Sequence, residues 1–250
     1  MQQTHMRDEE YRAMFDLEER LWWYDGMRGI TASLLGPALG EKKNERLLDL
    51  GCGTGYSLVW LRERFKFTEV FGVDLSPHAA AFWHARRLDT VALATADKLP
   101  FPDNSFDLVT CFDVIYQLND ERASAAVSEM HRVLKPGGLL FIREPAYQWM
   151  RGGHDVAVGT HRRYTATDLR RLLRARGFKP ARSTYANTLL FWAAAPHRLL
   201  SKLRGSTESD VKPVPGWLNT LLGAALKLEA RMLRRISFPF GLSVIALAEK

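Results

Sequence analysis

Residues Leu47 to Gly55 read LLDLGCGTG, and this stretch decides the fold. A short apolar run ends in three glycines at alternate positions, and a helix-forming segment begins at Tyr56. Glycine lets a backbone turn tightly and approach a ligand without a side-chain collision. The N-terminus of the helix that follows offers free N–H groups to polar or anionic atoms. The stretch therefore predicts a strand–loop–helix unit that binds a ligand.

An acidic residue follows where a ribose-binding group is expected. Asp74 ends the next apolar strand, and an acid at that point can accept hydrogen bonds from both ribose hydroxyls. The glycine spacing is Gly-x-Gly-x-Gly, whereas a dinucleotide site requires Gly-x-Gly-x-x-Gly. Asp49 stands two residues before the first glycine, and a carboxylate there repels a pyrophosphate. The pattern favours an adenosyl cofactor that carries an amino acid over NAD.

Around this unit, β-branched or aliphatic runs alternate with helical segments, which predicts βαβ units and a parallel sheet. We expect residues 1–45 to form helices and residues 46–250 to form the main domain, with a helical insertion over 189–240. The predicted strands are Arg46–Leu50, Val70–Asp74, Val91–Ala94, Phe106–Phe112, Leu139–Arg143, Ala181–Tyr185 and Ser243–Ala248. The predicted helices are Tyr56–Phe65, Pro77–Leu88 and about 120–134, 165–176 and 217–236.

The composition is that of a globular protein: 46% of the 250 residues are hydrophobic and 25% are charged, which excludes a disordered or fibrous chain. The start of the sequence lacks the apolar stretch of a signal peptide, and the longest apolar run, Leu189 to Ala195, is too short to span a bilayer. Two cysteines, Cys52 and Cys111, fit a reducing compartment. We expect a cytoplasmic protein.

The sequence resembles the class I S-adenosylmethionine-dependent methyltransferases of the ubiquinone-biosynthesis type. Five segments carry the resemblance: Asp49 to Gly55, Gly72-Val-Asp74-Leu-Ser76, Ala96 to Phe101, Phe106 to Thr110 and Leu134-Lys-Pro-Gly-Gly138. The resemblance implies an α/β, Rossmann-like sheet of seven strands with an antiparallel last strand and helices on both faces. It also implies S-adenosylmethionine as the cofactor. The implied cofactor-binding residues are Asp49, Gly51, Cys52, Gly53, Gly55, Asp74, Leu75, Asp97, Lys98, Phe112, Tyr24 and Arg28.

One segment departs from the family pattern. Many relatives carry Glu-His after the fourth strand, whereas this chain has Tyr116 and Gln117. Any acid–base role of that histidine is therefore absent. Tyr116 either orients a substrate or packs against the cofactor.

The segment after the fifth strand is polar and aromatic, and the carboxyl ends of the strands are where an open α/β sheet binds its ligands. Histidine titrates near neutrality, so His154 and His161 are our candidates for a general base, with Tyr116 as a third catalytic candidate. A solvated loop that precedes the next helix is the alternative. A metal site at His154, Asp155 and His161 is disfavoured by the spacing, and we expect no metal. The predicted substrate-binding residues are Tyr147, Trp149, Arg162, Arg163, Tyr164 and Trp23, with the two arginines as anchors for an anionic acceptor.

The segment Trp22-Trp23-Tyr24…Arg28 resembles the leading helix of a bacterial subgroup of these enzymes. In that subgroup such helices commonly cover cofactor and substrate, so we expect residues 1–45 to act as a lid. The alternative is that the aromatic side chains are core. For one of the two tryptophans this must hold, because adjacent helical residues point about 100° apart.

The net charge of +7 belongs to the C-terminal third. Residues 1–168 hold 20 basic and 24 acidic residues, whereas residues 169–250 hold 15 basic and 4 acidic. Three interpretations remain open: a helical cover over the substrate with a solvated basic face, contact with an anionic membrane surface or a lipid-linked anionic acceptor, and nucleic acid. The last is disfavoured because no recognition motif accompanies the charge.

The sequence thus predicts methyl transfer from S-adenosylmethionine to an oxygen, nitrogen or carbon atom of a small molecule. Two alternatives stay open. The fold is also compatible with a non-methylating reaction such as a cyclisation, and with a cofactor-binding partner protein that has no turnover.

Overall fold

The structure is a computed structural model that describes residues 8–40, 45–152, 155, 159–203 and 214–250. Seven strands form one sheet within these residues. They are β1 (Arg46–Leu50), β2 (Glu69–Asp74), β3 (Val91–Leu93), β4 (Phe106–Phe112), β5 (Leu134–Pro145), β6 (Lys179–Ala186) and β7 (Ser243–Glu249). Their order is β3-β2-β1-β4-β5-β7-β6. The pairs β1–β2, β1–β4, β2–β3 and β4–β5 are parallel, and β7 is antiparallel to both β5 and β6. This confirms the predicted fold class.

Eight α-helices surround the sheet in the described part of the chain. They are α1 (Asp8–Leu17), α2 (Trp22–Leu39), α3 (Tyr56–Phe65), α4 (Pro77–Ala85), α5 (Asp120–Val133), α6 (Ala166–Ala175), α7 (Thr188–Leu203) and α8 (Gly216–Leu233). Local signals set several of their ends. The Ser76 hydroxyl accepts a hydrogen bond from the His78 N–H at the start of α4, Asn119 caps α5, and Thr165 and Asp168 form a capping box at α6.

The two faces of the sheet carry separate hydrophobic cores. One core packs α5 and α6 against the sheet through residues such as Val127 and Leu173. The other packs α2, α3, α4 and α8 through residues such as Ile30, Leu58 and Leu226. Strands that are buried on both faces appear in the sequence as continuous apolar runs. For this reason the predicted bounds of β1 and β4 agree with the structure at every residue.

The leading helix α2 and the insertion helix α8 pack directly on each other. A Cβ atom at Gly26 would lie 2.2 Å from Leu226 Cδ1, so glycine is what allows this close approach. The Trp22 N–H donates to Asn219 Oδ1 over 2.9 Å, and Lys227 Nζ lies 3.3 Å from Asp25 Oδ2. The first helical layer and the insertion are therefore one continuous cover.

Several predicted boundaries differ from the structure, three of them by three residues or more. Helix α4 ends at Ala85 and not at Leu88, because Arg87 has a φ of +54° that a helix cannot continue through. Strand β5 begins at Leu134 and not at Leu139: the Lys-Pro-Gly-Gly segment is part of the strand, with a register shift opposite Phe106 to Leu108. Helix α8 ends at Leu233 rather than Ile236.

The apolar residues of the predicted helix 217–236 are divided by the structure. Leu233 is buried as an amphipathic helix requires, whereas Leu221, Met232 and Ile236 are exposed, and the buried Leu226 was not among the predicted inner residues. No helix among the described residues is long and apolar enough to cross a bilayer.

Candidate cofactor and acceptor site

A cavity of about 940 Å³ opens at the carboxyl edge of the sheet. The loops after β1 and β2 line one half, and α2, α7, α8 and the end of β5 line the other. The loop after β4 lies between the two halves, because β4 lies between β1 and β5 in the sheet. This is the edge at which open α/β sheets bind their ligands. We call the first half the cofactor half and the second the acceptor half.

The loop after β1 is a backbone cradle. Gly51 has a φ of +76°, and a Cβ atom there would lie 2.2 Å from Val114 Cγ2. The N–H groups of Gly51 and Cys52 donate to the Val73 carbonyl over 2.8 and 3.0 Å, which ties the loop to β2. Gly51, Cys52 and Gly53 line the cavity, and Gly55 lies behind it at the start of α3. A side chain at Gly51 would therefore collide with Val114 in the wall of the cavity.

Asp74 lies at the end of β2 and lines the cavity. Its carboxylate accepts hydrogen bonds from the Gly53 N–H and the Ser76 N–H, each over 2.9 Å, and from the Tyr11 hydroxyl over 3.2 Å. Burial raises the pKa of Asp74, and these donors oppose the rise. Because a carboxylate offers about four lone-pair sites, it retains capacity for a ribose hydroxyl.

Asp49 is buried behind the loop and is not among the residues that line the cavity. The Thr110 hydroxyl donates to its Oδ1 over 2.6 Å. Burial raises the pKa of Asp49 to about 7, and the same cause raises the pKa of the Cys52 thiol well above its ordinary value. Cys52 therefore contributes packing and backbone rather than a thiolate.

The remaining predicted cofactor residues fall into two groups. Leu75, Phe112, Tyr24 and Arg28 line the cavity, whereas Asp97 and Lys98 do not. Asp97 pairs with Arg122, which does line it, over 2.7 and 3.2 Å. These hydrogen bonds lower the pKa of Asp97, so it stays ionised beside the cavity wall.

Helix α1 lies over the glycine loop, through contacts that the sequence analysis did not single out within residues 1–45. Tyr11 reaches Asp74, Met14 lies against Gly53, and the buried Glu18 accepts a hydrogen bond from the Thr54 hydroxyl. Glu18 also pairs with Arg86 of the segment after α4 over 2.8 Å. No periodic signal marks such contacts, because each joins residues that are far apart in sequence.

A buried carboxylate shapes the loop after β4. Glu144 of β5 is fully buried and accepts the N–H groups of Val114, Ile115 and Tyr116 over 3.3, 3.1 and 3.1 Å. Burial raises the pKa of Glu144 well above its ordinary value, and the three donors oppose the rise. The loop that faces both halves of the cavity is thus held from β5. The sequence indicated only that Glu144 is a polar residue near the end of the fifth strand, and no role was predicted for it.

Tyr116 and Asp113 are polar side chains of this loop that line the cavity. Tyr116 lines it, is 7% exposed, and its hydroxyl accepts from Gln117 Nε2 over 3.1 Å. Burial raises the pKa of Tyr116, so the phenol stays protonated. Asp113, at a φ of +57°, accepts from Arg143 Nε over 3.0 Å. The Arg143 guanidinium also faces the rings of Phe112 and Trp23, at 4.9 and 5.4 Å.

Of the six predicted substrate-binding residues, two line the cavity and four do not. Trp23 and Arg163 line the cavity. Arg163 donates to Asp155 over 2.7 and 2.9 Å and to the Ala146 carbonyl over 3.1 Å, so its guanidinium is already paired. Four others are not among the lining residues: Tyr147 and Trp149, which stack on each other, Arg162, which pairs with Asp120 and Asp168, and the buried Tyr164.

The structure describes one of the two histidine candidates. His161 is exposed and is not among its lining residues; its N–H donates to the Tyr116 carbonyl over 2.8 Å. His154 lies outside the described residues. In the described part of the chain, no group of three or more His, Cys, Asp or Glu side chains is placed to hold a metal ion.

Asn187 is a lining residue that the sequence did not single out. It is 1% exposed, follows β6 at a φ of +59°, and its Oδ1 has no hydrogen-bond partner among the described residues. The nearby Glu229 of α8 accepts from the Leu189 N–H over 3.1 Å and so anchors the start of α7. The end of β6 is thereby joined to the insertion.

The sheet order, the glycine cradle and Asp74 define a nucleotide-binding α/β protein. Residues 48–142 match the family model of the methyltransferase domain. Two of the relatives are informative: a ubiquinone/menaquinone biosynthesis C-methyltransferase, UbiE, of Chromobacterium violaceum is 40% identical over 117 residues, and a demethylmenaquinone methyltransferase of Thermus thermophilus is 40% identical over 109. These matches cover 44% and 42% of this chain, and 47% and 49% of the relatives. Residues 48–142 are therefore similar to the domain of the class I S-adenosylmethionine-dependent methyltransferases, and the cofactor is S-adenosylmethionine.

Solved structures agree on the fold. A S-adenosylmethionine-dependent methyltransferase from Archaeoglobus fulgidus superposes with a TM-score of 0.60 at 18% identity, over 94% of this chain and 99% of that one. The chain spans about half the length of the curated relatives it matches. The comparison shows the fold and does not identify the acceptor.

Proposed function

We propose that the protein transfers a methyl group from S-adenosylmethionine to a small molecule held in the acceptor half of the cavity. The observation that carries this proposal is the single cavity wall shared by the two halves: the loop after β4, anchored by Glu144, faces both. Methyl transfer is a direct displacement that requires donor and acceptor in line and free of water. A common wall fixes the two relative to each other.

The residues of the cofactor half fit this cofactor. The cradle at Gly51 is filled by any side chain, Asp74 has capacity for ribose, and backbone N–H groups surround the loop. In our assignment Gly51, Cys52, Gly53 and Asp74 hold the cofactor directly, with Leu75, Phe112, Tyr24 and Arg28 around it. Asp49, Gly55, Asp97 and Lys98 support the site from behind. Bound S-adenosylmethionine supplies the electrophilic methyl group.

The acceptor half is mostly apolar, with aromatic and aliphatic side chains from α2, α7 and α8. Trp22, Trp23, Leu190, Leu218 and Leu222 line it. Its described cations, Arg143 and Arg163, are each paired with a carboxylate. We infer an acceptor with a substantial apolar part. The names of the matched relatives favour a carbon nucleophile, and an oxygen or nitrogen nucleophile is compatible with the same cavity.

For catalysis we propose Tyr116 as the group that orients the acceptor, since its protonated phenol can donate a hydrogen bond. His161 and His154 stay our candidates for a base, although His161 reaches the cavity only through its backbone contact with Tyr116. Comparing Tyr116→Phe with His161→Ala separates these roles. A base at His161 requires a large loss of kcat with unchanged cofactor affinity, whereas an orienting Tyr116 mainly raises KM.

We propose further that residues 1–45 act as a lid and residues 189–240 as an insertion on the main domain. The contacts of α1 with Asp74 and the glycine loop support the lid assignment. A lipid-linked acceptor and a peripheral contact with an anionic membrane are part of the same proposal, supported by the basic C-terminal third and the apolar acceptor half.

The proposal is tested by incubating the protein with S-adenosylmethionine and a lipid and metabolite extract, and measuring S-adenosylhomocysteine. We expect product with the wild type and none with Asp74→Ala, whose cofactor affinity should fall by about a hundredfold. Asp89→Ala, an exposed aspartate outside the cavity, is the matched control. Acceptor consumption without S-adenosylhomocysteine would favour a cyclisation instead, as in the cyclase SpnF, whose structure shares this fold at 22% identity and a TM-score of 0.57.

A further inference from the structure

Helix α8 carries a second apolar face that no part of the described protein covers. Trp217, Leu221, Leu228 and Met232 are 71%, 60%, 51% and 37% exposed. At 100° per residue these four side chains fall within an arc of about 60°, so they form one outward ridge. It extends about 22 Å along the helix. We call these four residues the outer ridge.

Cations flank the outer ridge on one side and at its end. Arg231 and Lys227 lie next to it on the helix, and Arg234 and Arg235 follow at the C-terminus. Lys227 contacts Asp25 over 3.3 Å, so the unpaired charge comes from the three arginines, for which the described residues provide no ion-pair partner. The only acid of α8, Glu229, is fully buried. The exposed face of the helix therefore carries apolar side chains and cations but no acid.

The inner side of the same helix faces the acceptor half. Leu218 and Leu222 line the cavity, one residue away from Trp217 and Leu221 of the outer ridge. Leu190 and Ala193 of α7 line it as well. A surface that binds the outer ridge therefore lies one helix diameter from the acceptor half, about 10–12 Å.

We propose that the outer ridge is a docking site for an anionic lipid bilayer. An interfacial helix combines exposed Trp and Leu side chains with adjacent Lys or Arg and lies in the plane of the membrane surface. The partner that complements both the apolar ridge and the arginines is a bilayer with acidic headgroups. This inference rests on the proposed function for its consequence only: the docked helix sets the acceptor half against the bilayer, where a lipid-soluble acceptor resides.

The test is flotation of the full chain with vesicles of phosphatidylcholine alone and with 30% phosphatidylglycerol. We expect binding to the anionic vesicles at 50 mM salt, and weaker binding at 500 mM because the arginine contribution is screened. Trp217→Glu together with Leu221→Glu should lower the partition coefficient at least tenfold, as should Arg231→Glu with Arg234→Glu. Quenching by bromine-labelled lipid should fall in Trp217→Phe.

Matched controls lie on other surfaces. Leu93→Glu changes an exposed leucine on the edge strand β3, and Arg171→Glu with Arg174→Glu makes the same charge change on α6, across the sheet. Both should bind vesicles within twofold of wild type. Absence of flotation, or ridge variants that float like wild type, overturns the proposal. A dimer that the ridge variants abolish, without flotation, assigns the surface to a second copy and also overturns it.

A separate measurement keeps this inference distinct from the proposed function. Titration of each variant with S-adenosylhomocysteine reports on the cofactor half alone. If the wild type floats but does not bind S-adenosylhomocysteine, the docking site stands and the methyl transfer proposal fails. If it binds but does not float, the reverse holds.

Discussion

The two halves of the cavity are built in different ways. The cofactor half is made by short segments at the ends of β1, β2 and β4, and its polar groups are already hydrogen-bonded within the protein. The acceptor half is made where α2, α7 and α8 meet β5, and it is mostly apolar. A fixed ligand can be recognised by a local motif, whereas an acceptor is recognised by a shape that distant segments produce together.

The largest effect is expected from a side chain introduced at the glycine loop of the cofactor half. Gly51→Ala places a Cβ atom 2.2 Å from Val114 in a backbone with a φ of +76°. We expect S-adenosylmethionine affinity, measured by calorimetry, to fall at least a thousandfold because strain and collision add. Gly40→Ala shares the positive φ but meets nothing within 4 Å. If both variants bind equally well, the cradle is not the recognition element.

The next largest effect is expected in the acceptor half. Asp155 and Arg163 form an ion pair in which both side chains are at most 3% exposed. Asp155→Ala leaves a buried guanidinium without a counter-ion, so the free energy of unfolding in urea should fall by about 3–5 kcal/mol. Asp155→Leu with Arg163→Met should recover much of it. A double variant no more stable than the single one would contradict the buried-pair explanation.

A third prediction concerns the pH dependence of the free energy of unfolding, to which a buried acid behind the cofactor half contributes. Burial raises the pKa of Asp49 from 3.8 to about 7, so the folded protein binds this proton more tightly than the unfolded chain. The contribution of Asp49 to stability is complete below pH 4 and is lost as pH rises through 7, by about 4 kcal/mol. In urea unfolding at several pH values, Asp49→Asn should lack this decrease. The exposed Asp89→Asn should keep it, and equal slopes in both variants would exclude Asp49 as the cause.

The smallest effect is expected where α1 meets the cofactor half. Tyr11→Phe removes one of three hydrogen-bond donors to Asp74. Because the two backbone donors remain, we expect S-adenosylmethionine affinity to rise by about threefold as carboxylate capacity is freed. Tyr185→Phe, which removes a buried hydroxyl outside the cavity, should leave affinity unchanged. A large loss in Tyr11→Phe would show instead that the helix holds Asp74 in place.

Much of the cofactor half was predictable from the sequence because its signals are local. Gly51, Asp74 and their strands were assigned from spacing alone, and strand ends of a parallel sheet meet at one edge. The positions of Asp49 and Asp97 behind the wall were not predictable, since spacing specifies a segment but not the direction of each side chain. The contact of Tyr11 with Asp74 joins residues 63 apart, and no periodicity marks it.

The amino-acid sequence was sufficient to assign the α/β fold and the glycine cradle, because backbone freedom, apolar runs and turns act over a few residues. Tertiary structure alone decided which polar residues after β5 reach the cavity. It paired Arg163 with Asp155, stacked Tyr147 on Trp149 and left Trp217 and Leu221 pointing outward. The physical reason is that burial and pairing depend on which distant surfaces meet. On α8, where Leu226 packs against Gly26, the choice of the inner side is made by α2 and not by the helix's own pattern.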